Sequence, residues 1–326
     1  MFLRKKASSF FLAKNNNKLV TPRKSRNSLS ISKREAIEFY LFITPVALGF
    51  FIFTLGPILY SLYMSFTQYN VVKPAVWIGL KNFFDLFNDP LFWKSLQVTG
   101  LYVAMQLPLN LVFSLIIALL MNQKIKGIGF FRTIYYLPSV ISGVAVSLLW
   151  LWIFNPNYGL LNYVLSFVGI QGPGWLYDEI WSLPSIVIMS LWGVGGSMLV
   201  YLAGLQGIPS ELYESAEIDG AGRISRFRFI TLPMLSPVIF FNLIMGMIGA
   251  FQEFTPAYVL TKGGPNFSTL FYNFYLYENA FDWLYLGKAA AMAWILLLIV
   301  LVLTFMVFKS SPMWVFYQSQ RGGESR

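Results

Sequence analysis

Six stretches of this chain, near residues 37–66, 95–121, 133–154, 184–205, 235–258 and 289–308, are long, apolar and free of lysine and arginine. Crossing a hydrocarbon core about 30 Å thick takes about 20 mostly apolar residues in a helix. Backbone left unpaired in lipid is costly, so such stretches fold as helices and not as isolated strands. The expected class is an all-α membrane protein with six transmembrane helices. Pro45, Pro57, Pro108, Gly143, Gly193, Gly195 and Gly196 fall inside them. In a water-soluble helix these would count as breakers; in a membrane bundle they mark kinks and close helix contacts. Charged residues make up only 12% of the chain, too few to coat a folded surface of this size in water.

The charges that exist are unevenly placed. Of the net +10, residues 1–36 carry +9, from ten Lys/Arg against Glu35. Lys and Arg in that arm, in the 122–132 and 206–234 loops and in the C-terminal tail number 19, against 5 on the other side: Lys73, Lys81, Lys94, Lys262 and Lys288. The positive-inside rule therefore puts both termini and the 206–234 loop in the cytoplasm. The expected organisation is a basic cytoplasmic arm (1–36), a six-span domain (37–308) and a cytoplasmic tail (309–326). Unstructured Asn, Ser and Lys read as a solvated arm, so no nucleic-acid partner is expected. The apolar patch Ser9–Ala13 is too short for the core of a signal peptide.

The sequence contains no cysteine and no histidine. That excludes disulfides, zinc sites of Cys or His type, and Ser-His or Cys-His nucleophilic pairs. No GxxxxGK[ST] loop occurs; Gly287-Lys288 runs on to Ala289 without the upstream glycines. No catalytic residue and no metal ligand set is expected, and ATP hydrolysis through that motif is ruled out.

The most informative connector is 206–234. Pro209-Ser210 signals a helix start, with Glu211 in the first turn. Leu212, Tyr213 and Ala216 are expected towards one side, and Asp219-Gly220 to stop the helix. Asp219 is then expected to cap a second helical stretch ending before Pro233. By pattern alone, a plain solvated connector fits equally well.

Glu214-Ser215-Ala216, Asp219-Gly220-Ala221 and Phe229-Ile230-Thr231-Leu232-Pro233 resemble the EAA motif of the permease subunits of binding-protein-dependent ABC importers. Three further fragments resemble the sugar-importing, maltose-permease branch: Trp77-Ile78-Gly79-Leu80-Lys81-Asn82-Phe83, Phe130-Phe131-Arg132-Thr133 with Leu137-Pro138, and Leu260-Thr261-Lys262-Gly263-Gly264-Pro265. The likeness covers residues 40–308; Ser215, Thr255 and Lys262 depart from the common pattern.

That resemblance implies a type I ABC importer permease architecture with a cytoplasmic coupling helix, in a bacterial inner membrane. Glu211, Leu212, Tyr213, Glu214, Ala216, Glu217, Asp219 and Gly220 would meet an ATPase subunit. The implied partners are a second permease, two ATPase subunits, an extracytoplasmic solute-binding protein that meets the loop at Gly263, Gly264 and Pro265, a saccharide substrate, and lipid. No cofactor would be bound by this chain; ATP and Mg belong to the ATPase subunits. Trp150, Trp152, Asn242, Gln252, Glu253 and Tyr258 are substrate-pathway candidates, being costly in lipid yet in or near spans. The tryptophans also suit an interfacial belt, and Asn242 an interhelical hydrogen bond. With no Lys or Arg in any span, a neutral saccharide is the simplest cargo. The alternative is an ion-coupled secondary transporter, which would favour internal repeats and mid-membrane carboxylates. A membrane-embedded enzyme and an exporter's membrane half fit less well.

Overall fold

The computed structural model describes residues 28–316, so residues 1–27 of the basic arm and 317–326 of the tail lie outside it. The described residues divide into two units at Ile58/Leu59. The first is helical: Ser28–Phe50, a π turn Phe51–Leu55, and the start of Gly56–Ser65. The π turn has a cause. Pro57 has no N–H to give and its ring crowds the preceding turn, so the helix widens just before it, and Gly56 N–H reaches back to Phe51 O.

Among the described residues, four helices have the length and composition to cross a membrane: Glu35–Ser65, Pro90–Met121, Arg223–Phe251 and Leu286–Met313. Two bent pairs meet the same test when each is taken as one span, Ile128–Val140 with Gly143–Ile153 at 99°, and Ser182–Trp192 with Gly195–Gln206 at 48°. These correspond to the six expected stretches and are called the first to sixth spans in chain order. The bends fall where proline and glycine weaken the ladder, at Pro138–Gly143 and Gly193–Gly195. Gly195 also permits a close approach: a Cβ there would lie 2.5 Å from Tyr135 O and 2.7 Å from Tyr136 Cα.

The fifth span differs from expectation at both ends. It stops at Phe251, seven residues short of the apolar stretch, ahead of Pro256. At its start it runs through Pro233 without a break. A second π turn, Phe227–Thr231, takes up the missing donor, with Leu232 N–H bonded to Phe227 O. Nor does Asp219 cap this helix; Gly222 stands at its N-terminus with no side-chain cap.

The 67–94 connector holds an antiparallel hairpin, Thr67–Asn70 with Lys73–Trp77, and a short helix Lys81–Phe87. The hairpin was not expected; Pro74 and only five residues hid the second strand. Buried Asn82 donates from Nδ2 to Ser65 O and Thr67 O, both at 2.9 Å, which closes the hairpin onto its helix.

The second span organises the unit from Leu59 onward. One end packs in a larger core with Leu86, Phe92, Phe271, Tyr272 and Tyr275, the other in a smaller core with Met121, Tyr201, Leu205, Ile208 and Leu235. At its start Asp89 caps the helix by accepting from Leu91 N–H at 3.0 Å. The same carboxylate accepts from Lys288 Nζ at 2.7 Å and from Tyr275 Oη at 2.5 Å. At its end Met121 O accepts from Arg132 Nε at 3.1 Å and Nη2 at 2.8 Å, a cation on the negative end of the helix dipole.

Burial opposes the charge of Asp89, but the bonds from Lys288, Tyr275 and Leu91 outweigh it and hold the carboxyl below its ordinary range. A depressed carboxylate stabilises the fold above its unfolded pKa of about 4, and that contribution is lost as pH falls through the folded value. Lys288→Met should therefore cost about 2–3 kcal/mol at neutral pH. The deficit should narrow on acidification, because a neutral Asp89 no longer needs its cation. Thermal unfolding in detergent across pH 3–7 checks this; a pH-independent deficit would contradict it.

Candidate functional site

A polar cavity of about 370 Å³ lies among the second, third and fourth spans and the chain that follows the fifth. The second span contributes Gln106 and Asn110, four apart and so on one face. The bend of the third span contributes Ser139 and Gly143, and its second half Ser147. The fourth contributes Ser190 and Trp192 at its own bend, and the chain after the fifth contributes Glu253 and Thr255. The two bent spans thus open backbone and small hydroxyls to the space, where straight helices would present only side chains.

The lining is rich in acceptors. Tyr102 Oη donates to Glu253 Oε2 at 3.3 Å. Ser147 and Ser190 give their protons to Gly143 O (2.8 Å) and Val187 O (2.7 Å), leaving their oxygens to accept. Gln106 Oε1 is buried with no hydrogen-bond partner in the protein. Trp192 supplies an aromatic wall. Behind it Trp150 packs edge-on at 6.2 Å and leans on Phe154 at 4.9 Å, its indole N–H buried without a partner.

Of the six pathway candidates, only Glu253 lines this cavity, and Trp150 reaches it through Trp192. Trp152 is half exposed on another face. Asn242 is buried and donates to Val238 O of its own helix at 3.1 Å. Gln252 lines an apolar groove between the fifth and sixth spans. Tyr258 stacks on Phe254 at 5.3 Å beside Tyr277. Gln106, Asn110 and Trp192 were not singled out from sequence, and Thr255 was marked only as a departure from the family's pattern. The paired amides at i and i+4 in an otherwise apolar span were a legible signal for the first two.

The second candidate region is the 206–234 connector. Ser210–Ile218 is a helix, as expected, with Glu211 in its first turn. Gly220 follows it at φ +76°, with Gly220 N–H on Glu217 O (3.0 Å) and Ala221 N–H on Ala216 O (2.8 Å). That is a Schellman stop, and it demands the left-handed backbone that glycine adopts freely. Tyr213 and Ala216 turn inward, whereas Glu211, Leu212, Glu214, Glu217 and Asp219 are exposed. Leu212 thus does not share the inward side expected for it. Three apolar residues outside the expected contact set, Ile218, Ile224 and Phe229, are also strongly exposed around this helix.

Two side-chain ties join this helix to the fifth span. Glu217 Oε2 and Arg226 Nη1 form an ion pair at 3.2 Å, and Tyr213 Oη lies 3.0 Å from Thr231 Oγ1.

In the loop after the fifth span, Lys262 and Gly263 both have positive φ and Gly264-Pro265 is a cis peptide. Gly263 is buried and Gly264 and Pro265 half-buried, so they shape the turn; Lys262, Asn266 and Phe267 form its exposed surface. Thr269 Oγ1 donates to Gly264 O at 2.6 Å. Among the described residues no group of three or more His, Cys, Asp or Glu could hold a metal ion.

Residues 110–312 match the family model described as binding-protein-dependent transport system inner membrane component. The chain is 46% identical over 300 residues to the probable ABC transporter permease protein YesP of Bacillus subtilis (strain 168), covering 90% of this chain and 96% of that protein. It is 37% identical over 287 residues to the lactose transport system permease protein LacF of Rhizobium radiobacter, covering 86% and 95%. Among solved structures it is similar to a chain of a bacterial ABC transporter involved in the import of the acidic polysaccharide alginate. The TM-score is 0.77 at 26% identity, over 87% of this chain and 98% of that one.

Proposed function

The chain belongs to the family of binding-protein-dependent transport system inner membrane components, and on that premise we propose that a saccharide crosses through the polar cavity, driven by an ATPase docked on the 210–222 helix-turn. It is a multi-pass permease subunit and not an enzyme; ATP is hydrolysed by a separate subunit. The observation that carries the cavity assignment is a pocket of amides, hydroxyls and Glu253 beside Trp192, at the bends of two spans. Sugars offer both hydroxyls and an apolar ring face, and this lining answers both. The related chains named for sugars, LacF among them, support that cargo class. The alginate relative's cargo is acidic, so neutrality does not follow from family.

Docking is supported by the exposed acids Glu211, Glu214 and Glu217, which offer charge to cationic groups, and by Ile218 and Ile224 as apolar contacts. An extracytoplasmic binding protein would meet the opposite side at Lys262, Asn266 and Phe267. A chain of the alginate transporter with its substrate-bound periplasmic protein, similar at TM-score 0.75, supports that kind of partner. A second permease, two ATPase subunits carrying ATP and Mg, and cytoplasmic termini complete the reading.

The chain has no cysteine, so single cysteines report cleanly. An impermeant thiol reagent added outside should label Ile170→Cys and Phe267→Cys, both exposed positions. Glu214→Cys should stay unlabelled from outside and cross-link to the ATPase subunit. Outside labelling of Glu214→Cys, or protection of Ile170→Cys and Phe267→Cys, would overturn the orientation and the docking site together.

A further inference from the structure

We propose that Tyr213 and Thr231 form a latch that makes the docking helix and the fifth span turn as one body. The inference rests on the reading of the 210–222 helix-turn as the ATPase contact. Asp219-Gly220-Ala221-Gly222 is the only main-chain link between the two helices. With two glycines, one at φ +76°, that link alone transmits orientation poorly. The Glu217–Arg226 pair adds little, because Glu217 is 72% exposed and such pairs are weak and screened by salt.

Tyr213 is placed differently. Its ring packs on the core formed by residues such as Met121, Leu205, Ile208 and Leu235. Its hydroxyl meets Thr231, which is only 5% exposed. Either hydroxyl can donate across this 3.0 Å contact, and Thr231 Oγ1 also lies 3.4 Å from Arg226 O. Separating the two would strip the buried Thr231 hydroxyl of its shorter hydrogen bond. The position matters as much as the bond. Thr231 ends the π turn Phe227–Thr231, just ahead of Pro233, where the helix is already short of a donor. A side-chain tie there holds the foot of the span where its own ladder is weakest.

The far end explains what the latch could deliver. Arg223–Phe251 has 29 residues, making a rod roughly 43 Å long. It ends two residues before Glu253 and four before Thr255, both on the cavity wall. A rotation imposed at the docking helix and held by the latch therefore arrives at the cavity as a movement of its lining.

The test is the amount of substrate carried per ATP hydrolysed by the complete complex in proteoliposomes, at matched abundance. Tyr213→Phe and Thr231→Val should each lower this ratio about fivefold. The double variant should be no worse than either single one, and Thr231→Ser, which keeps the hydroxyl, should restore the ratio. A merely structural role would reduce transport and hydrolysis in step and leave the ratio alone. Docking is read separately by the Glu214→Cys cross-link to the ATPase. If the cross-link forms and both single variants keep the wild-type ratio, the latch is wrong and the docking site stands. If the double variant loses the product of the two single effects, the residues act independently and the latch is wrong. Absence of the cross-link removes docking and latch together. Should Thr231→Val fail to reach the membrane, Tyr213→Phe, which removes one oxygen atom, decides alone.

Discussion

Gly220→Val is expected to abolish most uptake while leaving the protein in the membrane at normal abundance. Gly220 sits at φ +76°, and no neighbouring atom comes within 4 Å of where a Cβ would be. The obstacle is therefore backbone conformation and not space. A β-branched residue held in the left-handed region carries strain of about 1–3 kcal/mol. The Schellman stop can relieve that strain only by opening, which swings Ser210–Ile218 away from its present orientation. Since the loop is exposed, global stability changes little and the loss falls on docking. Uptake in reconstituted complexes should drop roughly tenfold or more, converting that strain into a population. Gly220→Asn, which tolerates the left-handed region, should keep much of it. Wild-type uptake by Gly220→Val would mean that the orientation of this helix does not matter.

The largest effect on stability is expected from Gly287→Ala. A Cβ at Gly287 would lie 2.0 Å from Thr67 O and 3.1 Å from Asn82 Nδ2. The nearest atom is backbone, already bonded by Asn82, so no flexible side chain can yield. Alanine improves helix propensity by about 1 kcal/mol near the start of the sixth span. Forcing strand and span apart costs at least about 3 kcal/mol, because overpacking against backbone cannot relax locally. Destabilisation wins. Gly100→Ala is the control: nothing lies within 4 Å of its Cβ position, and it sits within the second span. It should be neutral or slightly stabilising. Thermal unfolding of both variants in detergent checks this, and equal melting temperatures would contradict the account.

Particular residues show what sequence could and could not give. The spans are legible because bilayer thickness imposes a length and a composition that no loop satisfies. Their interruptions are legible only as weak points: Gly143 and Gly193–Gly196 permit bends, but 99° and 48° are set by packing partners such as Tyr135 against Gly195. The end of the fifth span was overread by seven residues, because Gln252–Tyr258 carries no Lys or Arg and includes Phe254, Ala257 and Tyr258, while Pro256 stops the ladder. The helix-stop at Gly220 was legible from Asp-Gly alone. The second helix was misjudged, since Pro233 reads as a breaker until the π turn at Phe227–Thr231 is seen to absorb it. The cavity was the least legible part. Its walls come from three spans and the chain after the fifth, and only tertiary structure shows that Gln106, Ser147, Trp192 and Glu253 face one another.

Asp89, Tyr275 and Lys288 also impose an order of events during synthesis. The carboxylate emerges 186 residues before the hydroxyl and 199 before the ammonium it will meet. Until the sixth span has entered the bilayer, Asp89 has only its own helix cap, and the strand at Thr67 lacks the backbone of Gly287 beside it. Both seams join the earliest part of this unit to its last span, so they close late, like a ring whose final stave sets all the others. A chain arrested after five spans would carry an uncompensated acid and an open strand edge together, marks that membrane quality control is able to read.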